Sequence, residues 1–100
     1  IAATGDGYRG RHVRDGAPYE LVLSNILANP LCALAPSLAQ ILAPGGHAVL
    51  SGLLSRDARR VTAAHRRLGL RLVRRFEDRG WATLLMRRPT SRGKTLSQLL

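Results

Sequence analysis

The sequence predicts an α/β chain in which strands and helices alternate and the last two strands close as an antiparallel hairpin. Three observations carry this. Leu21-Val22-Leu23-Ser24 and His47-Ala48-Val49-Leu50-Ser51-Gly52 are apolar runs of strand length, with too little polar alternation for strands wetted on one side. Segments of helical spacing follow each of them. Asp78-Arg79-Gly80 separates two further strand-like runs, 70–77 and 81–88, with turn chemistry that suits a hairpin. A strand-helix-strand unit takes roughly 30 residues or more, so the 100 residues of this chain hold only part of a doubly wound sheet.

Along the chain, residues 1–19 are rich in Gly, Arg and Asp and read as connection, with a short strand expected at Ile1 to Thr4. Glu20 marks the change to the first buried strand. Asn29-Pro30-Leu31 predicts a helix start, with Asn29 as N-cap and Pro30 where a missing N–H has no consequence. The helical pattern runs to about Ala43; Pro36 predicts a kink or a division into two short helices, and Pro44-Gly45-Gly46 ends the pattern. After the second strand, Ser55 is expected to cap a helix with Asp57 in its first turn. Ala58, Val61, His65 and Leu68 share one face of that helix, and Gly69 supplies its C-cap. His65 on this apolar stripe reads as a packing residue rather than a catalytic one. In the closing strand, Trp81, Leu84, Leu85 and Met86 place apolar groups on both faces, as a central strand does. Phe76 and Trp81 are expected to pack in the core.

Composition narrows the function classes. Apolar content of 45% with 22% charge is globular rather than disordered. The longest apolar stretch, Ala33 to Ala43, is broken by Pro36 and Gln40 and falls short of the roughly 20 residues of a membrane span, so no membrane role is expected. Cys32 is the only cysteine; it stands among apolar residues, behaves as a small buried hydrophobe and fits a reducing cytoplasm. His12, His47 and His65 lie too far apart in sequence for zinc-ligand spacing, and no metal site is expected. The net charge of +10, from 16 Lys+Arg against 6 Asp+Glu, favours phosphates or an RNA-rich partner. Arg59, Arg60, Arg66 and Arg67 read first as a solvated helix face; non-specific RNA contact through an Arg-rich surface is the alternative.

In open α/β sheets ligands bind beyond the carboxyl ends of the strands, which directs attention to Asn25-Ile26-Leu27-Ala28 after the first buried strand. Asn25 offers a carbonyl oxygen and an amide N–H without ionising. Asn25-Ile26-Leu27-Ala28-Asn29-Pro30-Leu31, Leu34-Ala35-Pro36, Leu42-Ala43-Pro44-Gly45-Gly46, Leu50-Ser51-Gly52-Leu53-Leu54 and Trp81 follow in order. In this the chain resembles the PrmA family, the ribosomal protein L-eleven methyltransferases, from about Pro18 to Arg88. The resemblance implies the C-terminal half of a Rossmann-like class I methyltransferase fold, whose last strand inserts antiparallel between its two predecessors. It also implies S-adenosyl-L-methionine as cofactor and transfer of its methyl group to lysine and N-terminal amino groups of a large-subunit ribosomal protein. Asn25 matches the family Asn that binds the cofactor near the reacting centre.

Two residues depart from the family pattern: Glu20 stands where Asp is usual, and Ser24 where a small apolar residue is usual. The first two strands of the family fold, with their glycine loop and ribose-binding acid, are not found here. Gly5-Asp6-Gly7 reads as a plain turn. The expectation is therefore a partial methyltransferase domain over residues 1–88, a flexible tail over 89–100, and weak or no cofactor binding by the chain alone. Two other readings stay open. One is a methyltransferase for amide or nucleobase nitrogen, against which Ile26 and Leu27 stand where that motif carries two prolines. The other is a non-catalytic basic RNA-binding module, against which stands the low aromatic content of 4%.

Overall fold

The structure is a computed structural model and describes residues 16–90, together with the backbone of Ala2–Ala3. The Gly5-Asp6-Gly7 turn and the tail beyond Thr90 lie outside the described residues. In chain order the elements are β1 (Ala2–Ala3), β2 (Tyr19–Asn25), α1 (Ala28–Ile41), β3 (Leu42–Leu54), a 3-10 turn (Ser55–Asp57), α2 (Ala58–Arg66), β4 (Arg71–Asp78) and β5 (Trp81–Arg87). They form one sheet in the order β1-β2-β3-β5-β4. The first three strands are parallel; β5 lies antiparallel to both β3 and β4. The expected closing hairpin is present, with its second strand inserted beside β3.

The hairpin follows from its turn residues. Asp78 faces Trp81 across the turn, and the intervening Arg79 and Gly80 have φ of 52° and 83°. Positive φ at both central positions gives a two-residue turn whose twist matches that of the strands it joins. Gly80 takes this conformation without a Cβ penalty.

Side chains alternate across each strand, and one face of the sheet is the core. Val22 on β2, Ala48 and Leu50 on β3, and Leu84 and Met86 on β5 are all fully buried. They join Leu31 and Leu38 of α1 and Val61 of α2 in a single apolar cluster. The opposite face is less covered. Leu21 and Leu23 remain 47% and 45% exposed, and Leu23 lies in register with half-buried Val49, itself opposite Leu85. The expectation that β2 is buried on both faces is thus corrected: among the described residues, both helices pack against the same face.

Helix ends differ from expectation in informative ways. The N-cap of α1 is Leu27, in extended conformation, and not Asn29. Pro30 still falls in the first turn, where backbone N–H groups have no helical acceptor, and the Asn29 side chain is used elsewhere. Helix α1 continues through Pro36, which is exposed, so the carbonyl that loses its helical donor can meet water. The helix stops at Ile41, before Pro44, when Leu42 turns extended and joins β3. Arg88 closes this end: its guanidinium donates to the carbonyls of Ala39 and Leu42.

Ser55 does not cap α2. A 3-10 turn precedes the helix, Asp57 holds the N-cap position without a side-chain capping bond, and its carboxylate pairs with Arg60 instead. At the other end Gly69 has φ of 87°. Its N–H donates to Arg66 at 2.9 Å, and that of Leu70 to His65 at 3.2 Å, the paired bonds of a glycine-terminated helix. Ala58, Val61 and His65 are buried as the stripe predicts, but Leu68, in the unwinding turn, is 41% exposed.

Candidate functional site

Strand β2 ends in Asn25, in register with Ser51 of the parallel neighbour β3. The Ser51 hydroxyl donates to the Ser24 carbonyl at 3.1 Å, tying the two strand ends together one residue before the chains diverge. Beyond Asn25, Ile26 turns into the core and Leu27 outward, and α1 begins. Asn25 itself is exposed at the carboxyl edge of the sheet, where ligands of open α/β sheets bind.

Opposite it, the pairing of β3 with β5 shifts register between Leu50 and Leu53. The shift leaves Gly52 at φ of 82°, as in bulges where glycine adopts the left-handed conformation. A Cβ on Gly52 would run into the Asn25 side-chain oxygen. Glycine here serves two purposes: it permits the backbone conformation and lets the Asn25 amide lie against the β3 backbone.

Next to this pair opens a cleft of about 310 Å³, bordered by Leu27, Pro30, Gly52, Asp57, Arg60 and Trp81. The Arg60 guanidinium lies 3.1 Å from the Asp57 carboxylate and also donates to the Asn29 amide oxygen. The three side chains join the start of α1 to the start of α2 along one wall. Trp81, expected in the core, is 54% exposed and helps form the cleft rim. The i, i+3 spacing of Asp57 and Arg60 was visible in the sequence; their link to Asn29 needed the two helices to be placed. Cys32 is only half-buried, against the expectation of a buried thiol, and its sulfur lies 4.0 Å from the Arg60 carbonyl.

His65 is not part of this site. It is fully buried, as the packing reading holds, with Nδ1 2.8 Å from the Val61 carbonyl and Nε2 without a partner among the described residues. Burial pushes its pKa below the usual 6.5, and the Val61 contact opposes that shift in part. No helix among the described residues is long and apolar enough to cross a membrane.

Residues 8–89 match the model of the family described as ribosomal protein L11 methyltransferase (PrmA). The chain belongs to this family. It is 45% identical over 89 residues to the ribosomal protein L11 methyltransferase of Caulobacter sp. (strain K31), covering 89% of this chain and 30% of that protein. It is also 45% identical over 82 residues to the protein of the same name from Bradyrhizobium diazoefficiens, covering 82% of this chain and 28% of that protein. The chain therefore spans about 30% of the length of the curated relatives it matches. Among solved structures, the ribosomal protein L11 methylase of Lactobacillus delbrueckii subsp. bulgaricus superimposes with a TM-score of 0.69 at 23% identity, over 73% of this chain and 38% of that one. At that identity the likeness speaks for the class I methyltransferase fold. The resemblance read from the Asn25–Leu31 segment and the motifs after it holds.

Proposed function

We propose that this PrmA-family chain forms the acceptor-side half of a cytoplasmic S-adenosylmethionine-dependent methyltransferase domain, acting on amino groups of a ribosomal protein, with Asn25 binding the cofactor. The observation that carries this reading is the Asn25–Gly52 pair: an exposed, neutral amide at a strand's carboxyl edge, with a glycine opposite it where any side chain would collide.

The residues present fit one end of that cofactor. Asn25 can donate from its amide nitrogen and accept at its oxygen whatever the pH, which suits a polar, zwitterionic group beside a charged sulfur. Among the described residues no carboxylate stands free at the carboxyl ends of β2 and β3 to take ribose hydroxyls: Asp57 is engaged by Arg60. When bound, S-adenosylmethionine supplies a methyl group already activated by its sulfonium. The protein's part is then proximity and alignment rather than activation. Asn25, fixed against the Gly52 backbone, holds one end of the reacting line. Leu27, Pro30 and Trp81 wall the adjoining cleft with apolar surface. The Asp57–Arg60–Asn29 chain fixes the two helix starts that frame the opening.

The test is Asn25→Ala in the full-length protein, measuring methyl transfer to the ribosomal protein and the KM for cofactor. A hydrogen bond to a charged group contributes about 1.5–3 kcal/mol, so KM is expected to rise about 10- to 100-fold. Unchanged transfer and KM refute the assignment of Asn25.

A further inference from the structure

Helix α2 flanks the cleft described above on one side; on its other side lies a second groove, between α2 and the edge strand β4. About 420 Å³ in volume, it is lined by Arg59, Arg66 and Arg67 together with Arg75 of β4, over a floor that includes Thr62 and Leu72. All four arginines are exposed, and no carboxylate lines the groove. Beside the groove, the Glu77 carboxylate lies 2.8 Å from Arg75. Arg66 and Arg67 offset the carbonyl end of α2, and Arg75 is held by Glu77 and the Ser55 carbonyl, but neither role explains Arg59, about two turns before Arg66.

We infer that this groove binds the phosphate backbone of single-stranded RNA. Arg59 and Arg66 stand seven residues apart, about 10 Å along the helix, so a bound chain must offer anions repeatedly. Planar guanidinium forks match phosphate oxygens in pairs. With four arginines and no carboxylate in its lining, the groove suits the evenly spaced charges of a phosphate backbone.

A second observation on the same strand points the same way. Phe76, expected in the core, is 46% exposed, and the Arg74 guanidinium lies 4.8 Å from its ring centroid. Arg74 and Phe76 alternate with Arg75, so they stand on the opposite face of the edge strand from the groove. A strand of RNA following the groove over this edge meets an aromatic platform on which a base can stack. RNA binding in this groove does not depend on the methyl-transfer reading, and its failure would leave that reading untouched.

The experiment measures binding of the full-length protein to a fluorescein-labelled single-stranded RNA of about 20 nucleotides across a salt series. Arg59→Gln with Arg66→Gln is compared with Arg56→Gln plus Arg79→Gln, an equal loss of charge at exposed positions outside the groove. The groove pair is expected to flatten the slope of log affinity against log salt by about 1.4, from about 0.7 for each phosphate left without its arginine. Phe76→Leu is expected to weaken binding about tenfold. The corresponding Arg→Lys pair should keep the slope, and circular dichroism melts confirm that each variant folds. Equal effects of the two Gln pairs overturn the proposal by reducing it to net charge. Displacement of the RNA by polyglutamate at matched charge overturns it in favour of an acidic protein partner.

Discussion

Replacing Gly52 with Ala tests the geometry of the site without removing any of its polar groups. Two effects combine. Left-handed backbone costs a residue bearing a Cβ about 1–2 kcal/mol, and Gly52 sits at φ of 82°. The new methyl also meets the Asn25 side-chain oxygen, and turning that side chain aside or shifting β3 adds about 1 kcal/mol, the scale of coupling between residues in contact. Urea denaturation of the chain should thus show a loss of about 2–3 kcal/mol for Gly52→Ala. In an Asn25→Ala background the collision disappears and only the backbone term remains, so the same change should cost about 1–2 kcal/mol. The difference between backgrounds measures the Asn25–Gly52 contact directly. Equal costs in both would refute the placement of Asn25 against Gly52. A loss below about 0.5 kcal/mol would refute the left-handed conformation as well.

Two further outcomes follow from the packing. Because burial holds the His65 pKa below 6.5, the unfolded chain takes up a proton in acid before the folded chain does. This contribution is therefore absent well above pH 6.5, and stability falls as pH drops through that value until the lower, folded pKa is reached; the limiting slope is about 1.4 kcal/mol per pH unit. Urea midpoints measured between about pH 7 and pH 5 should show a component of this kind that His65→Leu removes; an identical profile in the variant would disprove it. Arg88→Met keeps the aliphatic stem and removes the donors that close α1 at Ala39 and Leu42. It should lower stability by about 1–2 kcal/mol, and an unchanged urea midpoint would show that water serves those carbonyls equally well.

How much of this was legible in the sequence depended on the range of the forces involved. The hairpin was written locally, in Asp78-Arg79-Gly80 and the runs around it, because turn conformation depends on the turn residues themselves. The Gly69 terminus and the Ala58–Val61–His65 stripe were legible for the same reason. Asn25 could be singled out because the end of an apolar strand in this class of fold is a topological address. What escaped was set across the sheet or between helices. Asn29 looked like a cap until Arg60, 31 positions away, claimed its side chain. The close approach of Asn25 to Gly52 depends on a bulge that no local pattern announces. Phe76 and Trp81 looked like core residues by type, yet strand order placed them on exposed surface. The run at Leu21–Ser24 predicted cover on two faces, and the described helices supply one.

The strand order has a consequence for how the molecule meets its own kind. Placing β5 between β3 and β4 puts the strand with buried Ala82, Leu84 and Met86 in the interior of the sheet and leaves β4 at the rim. A free strand rim is an open template on which another chain can extend the sheet. Here that rim is Arg71-Leu72-Val73-Arg74-Arg75-Phe76-Glu77-Asp78, exposed at every position but Leu72. A copy added in parallel register sets Arg71, Arg74 and Arg75 against their counterparts, and one added antiparallel about the strand centre sets Arg74 against Arg75, so like-charge repulsion disfavours extension of the sheet at this rim. Had the two hairpin strands been exchanged, the rim would present Leu84, Leu85 and Met86, and the same residues would make a chain prone to aggregate. The late antiparallel insertion thus acts as a solubility device, sequestering the sticky strand and exposing the charged one.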